Sequence, residues 1–128
     1  MEQVLYDSGA LISIGRSHNS AKVEDHLVRL DRGDHIIVPA PVAAQVIRDP
    51  SRQARLMITL RSCDIVAFEG SDARRVGRLL ALSGTSDVVD GFVAVKAAET
   101  GATVITSDPG DIRRLLSTLG VRLPVLKP

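Results

Sequence analysis

Residues 86–111 of the chain read SDVVDGFVAVKAAETGATVITSDPGD, and this stretch decides the fold. Ser86 is a residue type that often caps the start of a helix, and the largely apolar run after it predicts a helix over about 87–99. Gly101 is typical of the left-handed residue just past a helix C-terminus. Residues 102–107 then predict a short buried strand.

Asp108 and Pro109 follow that strand and predict the N-cap and first residue of another helix. The predicted lengths decide which residues meet. A helix over 87–99 descends roughly 18 Å at ~1.5 Å per residue, and the strand climbs back roughly 20 Å at ~3.3 Å per residue. Asp108 should therefore return to the level of Asp87 and Asp90, so that three carboxylates converge at one rim.

Asp90 is the hardest of these acids to explain as an ordinary surface group. It lies one turn inside a helix that is too apolar to be solvated all round, and the adjacent Gly91 costs about 1 kcal/mol relative to alanine. A buried carboxylate needs a partner such as a cation. The competing interpretation is a solvated first-turn acid that suits the helix dipole, which also fits Asp87, while Asp108 can be a simple N-cap.

Composition restricts the classes of protein to which the chain can belong. Its 128 residues are expected to form a single domain, 1–128, that buries ~65% of its unfolded surface. It is 45% hydrophobic and 24% charged, which is ordinary for a globular protein and excludes disorder. Only Tyr6, Phe68 and Phe92 are aromatic, so an RNA platform built by stacking bases on aromatic rings is not expected.

The N-terminus and the cysteine content indicate where the protein acts. Neither a signal peptide nor a membrane span is predicted, because the first residues are not basic and no segment approaches 18 apolar residues. The single cysteine, Cys63, is expected to be buried and inert, which is compatible with a reducing cytosol. The expected location is therefore the cytoplasm.

Strands and helices alternate along the chain. The predicted strands are 3–6, 35–38, 64–68, 102–107 and an edge strand near 124–126, and the predicted helices follow Asp7, span 18–30, begin at Pro39 and at Asp49-Pro50, and span 71–82 and 87–99. This alternation predicts an α/β fold, a mostly parallel sheet with helices on both faces. Right-handed crossovers place Asp7 and Asp108 at one carboxyl edge, where ligands bind. The alternative for Asp7 is a turn or cap residue.

Charge is unevenly distributed although the net charge is only +1. Residues 48–82 hold seven basic residues against four acidic ones, and residues 83–111 hold five acids against Lys96 alone. A cationic flank beside an anionic pocket suits a polyanion that is held by arginine and processed at a metal. Helix faces that are charged only because they are solvated would give the same pattern.

Crowded carboxylates need a cation. Carboxylates that share a rim repel one another, and their pKa values rise unless positive charge neutralises them. Ligand sets made only of oxygen select Mg²⁺ or Mn²⁺ rather than zinc. Such an ion lowers the pKa of bound water and clamps a scissile phosphate, which favours metal-assisted phosphodiester hydrolysis.

The histidines do not point to a metal site of their own. His18, His26 and His35 lack metal-ligand spacing and are expected at the surface or beside the ligands of a metal. Two of them belong to the predicted helix over 18–30, whose buried stripe is expected to be Val23, Leu27 and Leu30.

Four pieces of the sequence together resemble the PIN domain of VapC-type toxins. They are Asp7-Ser8-Gly9-Ala10-Leu11 after the first strand, Val38-Pro39 before a helix, Asp90 with Ala94 in the helix that Gly101 ends, and Thr106-Ser107-Asp108 followed by Asp111. The similarity covers nearly the full length, and the ordered set is more specific than any one piece. The resemblance implies a PIN-like three-layer sandwich.

By that resemblance the chain is a Mg²⁺- or Mn²⁺-dependent ribonuclease toxin of a VapBC pair. The implied catalytic and metal-binding residues are Asp7, Asp90 and Asp108, with Asp87 as a further metal ligand. The residues implied to orient those ligands or a metal-bound water are Thr106, Gln45 and Asp111. The residues expected to position the RNA backbone are Arg48, Arg52 and Arg55, of which the last two are predicted to share a helical face. The implied partners are a homodimeric second copy and a VapB-like antitoxin whose C-terminal segment occupies the active site.

Gln45 departs from the family pattern. Most of the family carries a glutamate on the helix after the second strand, and glutamine offers a carbonyl oxygen but no negative charge. Weaker metal binding is expected, or a transfer of that role to Asp87, one turn before Asp90. The departure questions a two-metal mechanism. It also leaves open a non-catalytic PIN module that binds RNA or a protein partner.

Overall fold

The computed structural model describes residues 1–16 and 20–128, in which strands and helices alternate. The strands are β1 (Gln3–Tyr6), β2 (His35–Pro39), β3 (Asp64–Val66), β4 (Thr103–Ile105) and β5 (Val125–Leu126). The helices are α1 (Ser8–Gly15), α2 (Ser20–Asp31), α3 (Ala40–Val46), α4 (Ala54–Arg61), α5 (Gly70–Ser83), α6 (Val88–Thr100) and α7 (Pro109–Thr118), with a 3-10 turn at Pro50–Arg52. The predicted alternation is confirmed.

The five strands form one parallel sheet in the order β3-β2-β1-β4-β5. The chain moves outward from β1 to β2 and β3, and then crosses to the other side of β1 to form β4 and β5. Because such crossovers are right-handed, this reversal places α1 to α4 on one face of the sheet and α5 to α7 on the other. The packing agrees, since α1 contacts α2, α3 and α4, whereas α5, α6 and α7 contact one another. The predicted α/β sandwich is confirmed, and its sheet is entirely parallel.

Helix α6 lies at the centre of the second helical layer. Its buried residues are Gly91, Phe92, Val93, Ala94, Val95 and Ala97. Packing explains the glycine, because a Cβ on Gly91 would lie 2.9 Å from Val76 Cγ1 and 3.1 Å from Leu80 Cδ2, both on α5. Helices α5 and α6 therefore approach more closely than alanine would permit. Gly101 ends α6 with a φ of 69°, as the sequence predicts.

The inner face of α2 differs from the predicted stripe. Val23 and Leu30 pack against the core, but Leu27 is 55% exposed. His26 is buried in its place, at 3% exposure. A surface position for this histidine was therefore the wrong expectation, and His18 lies outside the described residues.

A chain of hydrogen bonds makes the burial of His26 tolerable. Ser62 Oγ donates to the Thr59 carbonyl at 2.6 Å, so it accepts from His26 Nε2 at 2.8 Å. The other ring nitrogen, Nδ1, then accepts from the Tyr6 hydroxyl at 2.7 Å, and Tyr6 in turn accepts from Arg29 at 3.0 Å. Both nitrogens of the neutral imidazole are satisfied, which removes most of the cost of burying it.

Three predicted segments end earlier than expected, and one of them is β4, which covers only Thr103–Ile105 of the predicted 102–107. Strand β3 stops at Val66, and Phe68 packs edge-on against Phe92 with ring centroids 4.8 Å apart. The predicted helix at Asp49 and Pro50 is only the three-residue 3-10 turn, and α4 starts separately.

The predictions about Cys63 and about membrane spans can also be compared with the structure. Cys63 is half-buried and donates to the Thr59 carbonyl at 3.3 Å, and burial raises the pKa of its thiol to about 11. A thiol with such a pKa is a poor nucleophile, as expected. Within residues 1–16 and 20–128, none of the helices combines the length and the apolar character needed to cross a membrane.

Candidate active site

The sheet reverses its direction of growth between β1 and β4. The carboxyl ends of these neighbouring strands meet at that point, which is where ligands bind in open parallel sheets. The register pairs Tyr6 with Ile105, and the Asp7 backbone N–H donates to the Ile105 carbonyl at 3.0 Å. Asp7 and Thr106, which come directly after the two strands, therefore lie side by side.

Thr106 joins two of the predicted site residues. Its side chain is completely buried, and its hydroxyl donates to Asp7 Oδ2 at 2.8 Å. The hydroxyl oxygen of Thr106 also accepts the backbone N–H of Asp108 at 3.1 Å. The other carboxylate oxygen of Asp7 accepts the backbone N–H of Ser8 at 2.8 Å. These three hydrogen bonds fix the orientation of the Asp7 carboxylate relative to the start of α7.

Asp7 is a buried acid, with only 5% of its surface exposed. Burial is the main reason that the pKa of Asp7 lies above its ordinary value, and the charges on Asp108 and Asp87 raise it further. The hydrogen bonds from Ser8 and Thr106 lower the pKa but do not outweigh the burial. A carboxylate in this environment is stabilised by nearby positive charge.

Asp90 lies in the first turn of α6, where its side chain is half-buried. Burial raises its pKa to about 6, and the negative charges of four other carboxylates contribute to the rise. In decreasing order of effect these are Asp87, Asp7, Asp111 and Asp108. The structure therefore brings four other carboxylates, from three separate segments, within electrostatic range of Asp90.

The acids that precede the helices differ in how many hydrogen bonds their carboxylate oxygens accept. Asp7, Asp87 and Asp108 are the N-cap residues of α1, α6 and α7. Asp87 Oδ1 accepts the backbone N–H of Asp90 at 3.0 Å, whereas Asp108 makes no side-chain capping bond. The cap interpretation is thus correct for the position of each acid. It accounts for one oxygen of Asp87 and leaves the exposed Asp108 carboxylate available to a ligand.

Gln45 and Arg48 lie on or just after α3, and the structure joins neither of them to the carboxylates. The Gln45 side chain is exposed and has no hydrogen-bond partner within residues 1–16 and 20–128. Arg48 donates to the carbonyls of Ala44 and Ile47 at 2.9 and 2.8 Å. It therefore caps the C-terminal end of α3.

Arg52 and Arg55 do not share a helix, contrary to the prediction. Arg52 ends the 3-10 turn and lies 3.5 Å from Asp49, whereas Arg55 belongs to α4 and donates to the Arg16 carbonyl at 2.9 Å. The break before α4 separates them because Gln53 turns back to cap the end of α3, its amide nitrogen donating to the Val46 carbonyl. Both arginines nevertheless border one groove between α2 and α4.

The donor set suits a hard divalent cation. The four candidate ligands, Asp7, Asp87, Asp90 and Asp108, are all carboxylates, and oxygen ligands of this kind favour Mg²⁺ and Mn²⁺. Their side chains do not form a metal-binding cluster, because no three acidic, histidine or cysteine side chains of the described residues meet at metal-binding spacing. By chemistry and charge, Asp7, Asp90 and Asp108 remain the candidates to hold an ion.

Comparison with known proteins identifies the family. The family model of the PIN domain matches residues 4–115. The chain belongs to the PIN domain family. PIN domains are generally nucleases and usually employ divalent metal ions. No curated protein sequence matches the chain.

Two solved structures share the fold of this PIN domain. One is VapBC2 from Rickettsia felis bound to a DNA fragment from its promoter, with a TM-score of 0.74 and 18% identity over 98% of each chain. The other is FitAcB from Neisseria gonorrhoeae, with a TM-score of 0.69 and 16% identity over 96% of each chain. The predicted resemblance to the PIN domain is confirmed.

Proposed function

We propose that this PIN protein is a divalent-metal-dependent endoribonuclease toxin that a cognate antitoxin neutralises. The observation that carries the proposal is the group of four carboxylates whose charges act on a fifth, Asp90, near the reversal point of the sheet. Burying the Asp7 carboxylate, and half-burying that of Asp90, lowers the stability of the fold unless a positively charged group, such as a bound cation, lies nearby. Membership of a family of nucleases supports the same conclusion.

Each acid has a distinct role in this proposal. Asp7, Asp90 and Asp108 hold the ion, and Thr106 keeps Asp7 in one orientation through its 2.8 Å hydrogen bond. Asp87 and Asp111 add negative charge at the rim and attract the cation to it. When bound, a Mg²⁺ or Mn²⁺ ion supplies activation of water and neutralisation of the phosphate charge. The missing charge at Gln45 favours a single ion.

The substrate class follows from charge. Seven arginines lie within residues 48–82, and three of them, Arg48, Arg52 and Arg55, lie between the end of α3 and the first turn of α4. The planar guanidinium group matches the geometry of phosphate oxygens. RNA held by its backbone is therefore the proposed substrate, with these three arginines positioning it.

The proposed protein partners are a VapB-like antitoxin and a second copy of the chain, and the proposed location is the cytoplasm. The solved structures with this fold include VapBC2 and FitAcB. Exposed apolar side chains on α4 and β3, Ile58 and Ile65, offer an interface for the second copy. A free cysteine, Cys63, suits a reducing compartment.

The second candidate function is a non-catalytic PIN module that binds RNA or a protein partner. The observation in its favour is Gln45 on α3, which replaces the glutamate that most of the family carries on the helix after the second strand. The retained Asp7, Asp90 and Asp108 favour the enzyme.

An RNA cleavage assay separates the two candidates. The chain is co-expressed with the small open reading frame next to its gene, freed from any partner, and incubated with RNA in Mg²⁺, in Mn²⁺ or in EDTA. Asp7→Asn and Asp90→Asn should abolish cleavage, whereas Asp31→Asn, an exposed acid at the end of α2, should not. Cleavage that persists in EDTA and in both site variants excludes the proposed enzyme. RNA binding without cleavage supports the non-catalytic module.

A further inference from the structure

We propose that Gly9 and Ser107 act as a positioning pair. Because Gly9 has no side chain, Ser107 can pack against α1, and this contact sets the spacing between the Asp7 and Asp108 carboxylates. A Cβ on Gly9 would lie 2.7 Å from Ser107 Cβ and 2.9 Å from the Ser107 backbone nitrogen, and still closer to Ser107 Oγ. Side-chain and backbone atoms of Ser107 thus occupy the space that any other residue at position 9 needs. This inference rests on the proposed function and assigns it a structural requirement in the first turn of α1.

Backbone conformation does not explain Gly9. The glycines with left-handed φ values in the described residues are Gly33, Gly84, Gly101 and Gly120. Gly9 lies instead inside α1, where glycine is less favourable than alanine by about 0.5–1 kcal/mol. Glycine at this position therefore has a cost, and the close approach of Ser107 is the feature that requires it.

The position of Ser107 makes this contact relevant to the site. Ser107 connects Thr106, which holds Asp7, to Asp108, whose N–H donates back to Thr106. A side chain at position 9 must displace Ser107 from α1, because the added Cβ clashes most severely with the Ser107 side chain and also approaches its backbone nitrogen. That displacement acts on both neighbours of Ser107 at once. It lengthens the Thr106 bond to Asp7 and moves the Asp108 carboxylate away from the rim.

The test compares Gly9→Ala with a matched control that makes the same change in open space. Gly77 lies within α5 and has nothing within 4 Å of an added Cβ, so Gly77→Ala is the control. Mn²⁺ affinity is measured by calorimetry at a temperature where each variant is folded. Gly9→Ala should bind Mn²⁺ about tenfold or more weakly than the wild type, the size of effect seen when residues that orient metal ligands are changed. Gly77→Ala should remain within about twofold of the wild type, because nothing near it can be displaced.

The double variant Gly9→Ala with Ser107→Gly tests whether the two residues act together. Removing the Ser107 side chain relieves two of the three close contacts, so the double variant should bind Mn²⁺ more tightly than Gly9→Ala alone. A double variant no better than Gly9→Ala overturns the pair. If Gly9→Ala does not fold, the double variant decides alone: folding with Mn²⁺ binding supports the pair, and failure to fold overturns it.

A readout without metal separates this inference from the proposed function. In the metal-free protein, the backbone amide resonances of Thr106 and Asp108 should move in Gly9→Ala and return towards their wild-type positions in the double variant. Unmoved resonances in Gly9→Ala overturn the pair, whatever the metal affinity. A wild-type protein that binds no Mn²⁺ contradicts the proposed function instead, and the amide resonances still decide the inference.

Discussion

Thr106 Oγ1 donates a 2.8 Å hydrogen bond to Oδ2 of Asp7, which lies 99 positions earlier in the chain. The two residues directly follow neighbouring parallel strands, so the pairing of β1 with β4 brings them side by side. Because the same hydroxyl oxygen accepts the Asp108 N–H, one buried side chain couples the end of β1 to the start of α7. A neutral residue, Thr106, therefore helps to position two of the acids of the site, Asp7 and Asp108.

Replacing Thr106 by valine tests this coupling. Valine has nearly the same shape but leaves Asp7 Oδ2 and the Asp108 N–H without their partner, which should lower the free energy of unfolding by about 1–3 kcal/mol. Mn²⁺ affinity should fall about 10–100-fold, because Asp7 is no longer held in one orientation. Urea unfolding and calorimetry measure the two effects. Thr118→Val, on the exposed side of α7, is the control, and equal losses in both variants would contradict the role of Thr106.

That these acids lie within electrostatic range of Asp90 could be predicted from the sequence, because segment lengths indicate where a chain returns. Helix α6 spans roughly 20 Å at ~1.5 Å per residue, and the predicted segment 102–107, which contains the shorter β4, returns roughly 20 Å at ~3.3 Å per residue, so Asp108 was expected at the level of Asp90. Residues whose surroundings come from distant segments could not be predicted in this way. His26 is buried only because Tyr6 and Ser62 complete its hydrogen bonds. Periodicity alone had assigned the inner position to Leu27.

The raised pKa of Asp90 predicts how the metal-free protein responds to pH. The folded pKa is about 6 and the ordinary value is 3.8, so between these values the folded state binds more protons than the unfolded state. Stability should therefore fall as pH rises from about 4 to 6 on account of this group. Asp90→Asn removes that loss, so its melting temperature in EDTA should exceed that of the wild type at pH 7.5 but not at pH 4. Equal melting curves at pH 7.5 would contradict the crowding.

His26 should have the opposite pH dependence. Its burial, together with the charge of Arg29, lowers the pKa of the ring below the ordinary 6.5. The unfolded state therefore binds more protons as the pH falls through 6.5, and stability is lost in that direction. His26→Gln should weaken this loss between pH 7.5 and 5.5 in thermal unfolding. Equal pH slopes in His26→Gln and in the wild type would contradict the prediction.

Restoring the missing acid at Gln45 tests how many charges the metal site needs. Helix α3 starts at the carboxyl end of β2, beside β1, so a glutamate on it adds negative charge on the side of the site opposite α6. Gln45→Glu should tighten Mn²⁺ binding about tenfold, or about 1.4 kcal/mol, because affinity for hard cations increases with the charge of the ligands. Ala44→Glu adds the same charge one residue earlier on the helix and should have a smaller effect. If calorimetry finds the two variants equal, the gain reflects net charge alone and Gln45 does not face the ion.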